Sequence, residues 1–175
     1  MYNGAGSPTL TDCTFTGNVA GGSWTSGGGM SGGNATLTNC TFIDNRANYG
    51  GGMSGGATLT GCAFENNTAL DEGGGASVGN ATLTDCTFTS NSAYQYGGGV
   101  ITVGNGNATL TDCTFTGNTG SGMYNRQSSP TLTNCIFTGN TGGNGGGMCN
   151  SNSNPTLINC TFENNAVSGN GGGMC

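Results

Sequence analysis

The sequence predicts an all-β chain, a right-handed parallel β-helix of about seven coils with 22–27 residues in each. Three observations predict it: one motif recurs seven times in a fixed internal frame, its apolar residues alternate at strand period, and its composition does not suit an ordinary mixed core.

The motif begins with Thr-Leu, at Leu10, Leu37, Leu59, Leu83, Leu110, Leu132 and Leu157. Three residues after each leucine stands a cysteine: Cys13, Cys40, Cys62, Cys86, Cys113, Cys135 and Cys160. Two further on is a phenylalanine (Phe15, Phe42, Phe64, Phe88, Phe115, Phe137, Phe162), and three beyond that an asparagine (Asn18, Asn45, Asn67, Asn91, Asn118, Asn140, Asn165). A glycine run then leads to one apolar residue, Met30, Met53, Ala76, Val100, Met123, Met148 or Met174. Variation in coil length is assigned to the loop between the asparagine and the glycine run. In Thr-Leu-Thr the leucine points inward and the threonines outward, while cysteine and phenylalanine share the inner face of the next strand. The odd step from leucine to cysteine requires a bend at the Asp, Asn or Gly between them, residues that tolerate left-handed backbone. Stacked coils then place identical residues about 4.8 Å apart, in columns of Leu, Cys, Phe, Asn and Met. A leucine-rich repeat has a similar period but needs more leucines per unit.

Composition excludes several functions. Two Arg, no Lys or His and eight Asp or Glu give a net charge of −6, a surface that repels phosphate backbones, so no nucleic-acid partner is expected. No apolar stretch approaches the roughly 18–20 residues of a membrane-spanning helix, so this segment is not expected to insert in a membrane. The first residues, Met-Tyr-Asn-Gly-Ala-Gly, lack the basic and apolar parts of a signal peptide, and any secretion would be specified outside this chain.

The pairing of a Gly-Gly-Met or Gly-Gly-Val element (Gly28-Gly29-Met30, Gly98-Gly99-Val100) with a Phe-x-x-Asn element (Phe15 to Asn18, Phe42 to Asn45, Phe162 to Asn165) resembles the repeats of chlamydial polymorphic membrane proteins and related bacterial β-helix surface proteins. The resemblance covers essentially the whole chain. It implies a secreted cell-surface passenger that acts in adhesion. This sequence departs from that pattern in its cysteine before nearly every Phe-x-x-Asn, in Gly-Met where the family favours Gly-Ala-Ile, and in carrying no translocating barrel.

Candidate sites are few. The cysteine column reads as small buried core residues. Without His or a Cys-x-x-Cys pair it offers no metal site, and no cofactor is expected. Cys149 and Cys175 differ: both follow the methionine of the glycine element, face outward on neighbouring coils, and are candidates for a disulfide. Asp12, Asp85 and Asp112 share the bend with Asn39, Gly61, Asn134 and Asn159, which indicates a turn rather than paired catalytic carboxylates. Glu65 and Glu163 share the column of Thr16, and Arg46 and Arg126 are assigned to loops of different coils. With no lysine and no phosphate-binding Lys-Ser/Thr after the glycines, the chain is not expected to be an enzyme. Asn-Ala-Thr at Asn34, Asn80 and Asn107 matches the glycosylation sequon, a match the repeat itself explains.

Two outward threonine rows flank the leucines: Thr9, Thr36, Thr58, Thr82, Thr109, Thr131 and Thr156 in one, Thr11, Thr38, Thr60, Thr84, Thr111 and Thr133 in the other, with Ile158 as the only replacement. Their lattice resembles the Thr-x-Thr surface of β-solenoid antifreeze proteins, although threonine is also a preferred residue of any exposed strand.

The leading expectation is a structural or adhesive module of an extracellular, cell-surface repeat protein, a stalk or filament whose affinity for glycans or a host surface resides in loops carrying Trp24, Tyr49, Tyr94 and Tyr96. Ice- or crystal-surface binding through the threonine ladders is the alternative, and a polysaccharide-binding or -processing β-helix the second. Residues 1–175 read as one solenoid segment, either a window of a longer array or a protomer that associates end to end, with Met1 in a core position by its alignment with Met123.

Overall fold

A computed structural model describes residues 1–4, 6–104 and 106–175. The seven repeats form seven coils, and every paired strand is parallel. The Thr-Leu-Thr segments pair leucine on leucine, from Leu10 on Leu37 to Leu132 on Leu157. The next side is a seven-stranded sheet from Thr14–Thr16 to Thr161–Glu163, in register at every phenylalanine. Short strands Arg46–Tyr49, Thr68–Glu72 and Ser92–Ala93 form the third side, extended by bridges through Thr119 and Thr141. Strands beginning at Met30, Met53, Ala76, Val100, Met123 and Met148 close the coil.

The bends follow the sequence chemistry. Asp12, Asn39, Gly61, Asp85, Asp112, Asn134 and Asn159 all hold φ between 52 and 62°, the left-handed region that Asp, Asn and Gly tolerate. At the glycine run the reason is space. A Cβ on Gly75 would lie 2.5 Å from Gly99 O and 2.9 Å from the Phe88 ring, so the wall rests on the phenylalanine column only because it carries no side chains.

Inside, the columns are continuous. Phenylalanine rings stack at 4.6–4.9 Å between centroids with planes 1–9° apart, and Leu, Cys, Phe and Met of the middle coils are fully buried. Leu10, Cys13 and Phe15 of the first coil and Leu157, Cys160 and Phe162 of the last are partly buried. Met1 takes the expected register, with Tyr2 bridging Ser31, but is half-exposed.

The asparagine column is a polar ladder that the sequence marked without revealing its purpose. Asn91 Nδ2 donates to Asn118 Oδ1 (3.1 Å) and to Phe64 O (2.9 Å), while Asn91 Oδ1 accepts from Asn67 Nδ2 and from the Asn67 backbone N–H, both at 3.0 Å. Every hydrogen-bonding capacity of the buried amide is thereby used. The same pattern links Asn45, Asn67, Asn118 and Asn140. Asparagine supplies both donor and acceptor on a stem short enough to stay in the wall; an aspartate column would stack buried like charges.

Two expectations need correction. Length also varies at a second corner, between the methionine strand and Thr-Leu-Thr: Met53–Thr60 is one continuous strand, whereas Val100–Val103 and Thr109–Thr111 are separate. Bend and core fix only the stretch from leucine to asparagine, so both remaining corners can absorb insertions. Arg46 and Arg126 lie not in loops but at strand ends, opening Arg46–Tyr49 and closing Met123–Arg126.

Candidate functional site

Two surfaces stand out, on different sides of the solenoid. The first is the threonine face. Thr9, Thr36, Thr58, Thr82, Thr109 and Thr156 are exposed and Thr131 is half-exposed; Thr11 and Thr60 are exposed, with Thr38, Thr84, Thr111 and Thr133 half-exposed. Both rows are in register across all seven coils, and no charged side chain lies in either. The outer face of the phenylalanine sheet is less uniform, interrupted by Ile43, Ala63, Glu65, Ile136 and Glu163.

The second surface is the irregular corner between the asparagines and the glycine runs. Trp24 is 80% exposed. Its φ of 65° lies in a region bulky side chains rarely adopt. The loop beneath it is pinned: the single hydroxyl proton of Thr25 faces Ala20 O (2.8 Å) and Asn48 Oδ1 (3.0 Å), and Thr25 O accepts from the Tyr49 backbone N–H (3.0 Å). The indole thus projects from an anchored base. It stacks on Tyr49 with ring centroids 6.2 Å apart and planes 14° apart, and Ser23, Trp24, Asn48, Tyr49 and Asp71 line a cleft of about 260 Å³. The neighbouring Asp71 carboxylate pushes the Tyr49 phenol above its usual range, by favouring its protonated form.

Farther along the axis a second aromatic station is built from residues distant in sequence. Tyr96 stacks on Tyr124 at 4.4 Å with planes 16° apart, and the two share a cleft of about 320 Å³ with Gln95, Ser121, Asn144 and Cys149. Burial raises the Tyr124 phenol. Between the stations the nearly buried Glu72 accepts a hydrogen bond from Arg126. Tyr94 stands apart, 87% exposed. Tyr124, Glu72 and Arg126 were missed as site residues; the glycine element gave Tyr124 away only as a large residue at a position that is Ser54 or Ser77 in other coils.

The remaining candidates fall into structural roles. Asp12, Asp85 and Asp112 sit at the bends, and Asp112 Oδ1 accepts from Asn134 Nδ2 of the next coil (2.9 Å). Thiols of the inner column donate to carbonyls: Cys113 Sγ lies 3.4 Å from Thr111 O and 3.6 Å from Leu83 O. Burial raises the thiols of Cys40 and Cys160. Among the described residues no three His, Cys, Asp or Glu gather as metal ligands. Cys149 and Cys175 face each other outside the coil, with Sγ atoms 2.6 Å apart.

Residues 30–174 match the family model described as the right handed beta helix region. The chain belongs to the right-handed β-helix family. Neither curated proteins nor solved structures gave a match. Membership in the β-helix family accounts for the inner columns and the bends and assigns no ligand to either outer surface.

Proposed function

We propose that this β-helix is a structural and adhesive repeat module of an extracellular, cell-surface protein, and that it binds glycans at the corner built from Trp24, Tyr49, Tyr96 and Tyr124. The observation that carries the reading is Trp24, a largely exposed indole on an anchored loop, stacked on Tyr49 beside Asn48 and Asp71. Exposed aromatic faces next to a few oriented polar groups suit a ligand that offers C–H faces and hydroxyls together, as a pyranose does. The second station, Tyr96 on Tyr124, lies farther along the same axis and fits an extended polymer. Asp71, Glu72 and the net charge of −6 favour neutral or amino sugars over anionic ones. The surface location and adhesive role are supported by the resemblance of the glycine and Phe-x-x-Asn elements to chlamydial polymorphic membrane protein repeats. A non-catalytic role accords with carboxylates placed at bends and in an ion pair. The test is a glycan array together with retention on insoluble neutral polysaccharides, using the full chain and Trp24→Ala. Binding to neutral or amino glycans that falls at least tenfold in Trp24→Ala is expected. An absence of glycan binding, or binding that Trp24→Ala leaves unchanged, refutes the reading.

A specific observation favours a second reading, binding to ice or another crystal face. Strand propensity alone would fill both outer faces alike, yet the Thr-x-Thr rows break only at Ile158 while the phenylalanine sheet is interrupted five times. Thermal hysteresis lost in Thr82→Tyr and retained in Trp24→Ala would establish it, and an absence of hysteresis would remove it.

A further inference from the structure

Seven of the nine cysteines point inward and rest on backbone carbonyls. Cys149 and Cys175 point outward, and they point at each other. Met148 and Met174 bridge in parallel, which places the next residues side by side on neighbouring coils. The Cys175 backbone is held on both sides: its N–H donates to Met148 O (3.0 Å), and its carbonyl accepts from the Asn150 N–H (3.0 Å) and Asn150 Nδ2 (2.8 Å). Adjacent in-register strands put the two Cα atoms about 4.8 Å apart, within the range a disulfide spans. The Sγ atoms, 2.6 Å apart, are already inside van der Waals contact.

We infer that Cys149 and Cys175 are a redox pair that closes into an inter-coil disulfide, stapling the last coil of this chain to the one before it. The exposed Cys175 is the sulfur an external oxidant reaches; Cys149 is half-buried. A low-molecular-weight disulfide of the glutathione class is the oxidant. The Cys175 thiolate attacks it, forming a mixed disulfide and expelling one small thiolate. The Cys149 sulfur then attacks the Cys175 sulfur and expels the second. Two protein thiols become one S–S bond, the external disulfide is reduced to two thiols, and the two thiol protons pass to those leaving groups. Burial raises the Cys149 thiol above its ordinary value, so the closing step accelerates with rising pH. The loop closed is one full coil, whose Leu157, Cys160 and Phe162 are only partly buried. A covalent tie there restrains that coil against its neighbour.

The test is independent of glycan binding. The full chain is equilibrated in a glutathione redox buffer, acid-quenched, unfolded, alkylated and mapped by mass spectrometry. The expected result is one cross-linked peptide pair joining Cys149 to Cys175, lighter by two hydrogens, with the other seven cysteines alkylated. Both sulfurs alkylated, a Cys175 link between two molecules, or a link into the inner column overturns the inference. In parallel, the oxidised wild type should lose about 5 °C or more of melting temperature on reduction, and Cys149→Ser should show no dependence on reductant. A link whose reduction leaves the melting temperature unchanged would overturn the stapling role.

Discussion

The inside of this solenoid and its Trp24 corner obey opposite rules. On the inside the leucine, cysteine, phenylalanine and asparagine columns set each residue against a copy of itself, while the methionine column admits Ala76 and Val100. At the corner no close pair repeats from coil to coil: Trp24 stacks on Tyr49, Glu72 pairs with Arg126, and Tyr96 stacks on Tyr124. The phenylalanine and asparagine columns constrain every coil to the same residue type, because one exception leaves a cavity or an unpaired amide in both neighbours. A corner pair constrains nothing beyond itself. Stability is therefore concentrated in the columns, and the corner is free to specialise.

The comparison breaks most visibly at the phenylalanine stack. Phe88→Ala, in a middle coil, should cost about 3–5 kcal/mol in urea melts, because the rings above and below are fixed by their own strands and cannot fill the space. The asparagine ladder comes next. Asn91→Asp removes the donors to Phe64 O and Asn118 Oδ1 and buries a carboxylate, at a cost of about 2–4 kcal/mol at neutral pH. Burial raises the folded-state pKa of that carboxyl above its unfolded value, so the protonated form is favoured in the fold. The deficit should shrink as pH falls, which melts of wild type and variant across the acid range would show. A deficit that grows toward low pH would contradict the buried placement.

Corner changes should be smaller. Glu72→Gln breaks the ion pair with Arg126, whose side chain is 44% exposed, so solvent screening limits the cost to about 1 kcal/mol, decreasing in high salt. Smallest of all is Thr87→Ser, one residue from Phe88 on the outer face, at under about 1 kcal/mol. If it rivalled Phe88→Ala, the inward and outward assignment would be wrong.

The same contrast explains what could be read from sequence. The Leu, Cys and Phe columns, the bends at Asp12, Asn39 and Gly61, and the outward threonines follow from a frame that never slips, since a periodic neighbour is a known neighbour. The ladder's hydrogen bonds were hidden because periodicity places Asn67 beside Asn91 but does not say which way the amides point. The corner pairs were hidden for a different reason. Glu72 and Arg126 are two coils apart, and the loops that bring them together differ in length, so no period predicts the contact. Arg126 accordingly read as a loop residue, and Tyr124 passed unnoticed beside Tyr96. Cys149 and Cys175 were legible because they sit on the frame, each just after its methionine.

Residue-resolved amide hydrogen exchange tests most directly the claim that the columns hold the fold and the corner does not. The strand amides of the middle coils, such as Thr87 bonded to Cys62 O and Thr114 bonded to Cys86 O, should exchange slowest and at similar rates from coil to coil. The amides of residues 21–24, at the corner, should exchange orders of magnitude faster even though Trp24 is stacked. Equal protection of that loop and the middle-coil strands, or middle-coil strands that exchange as fast as the loop, would contradict the account.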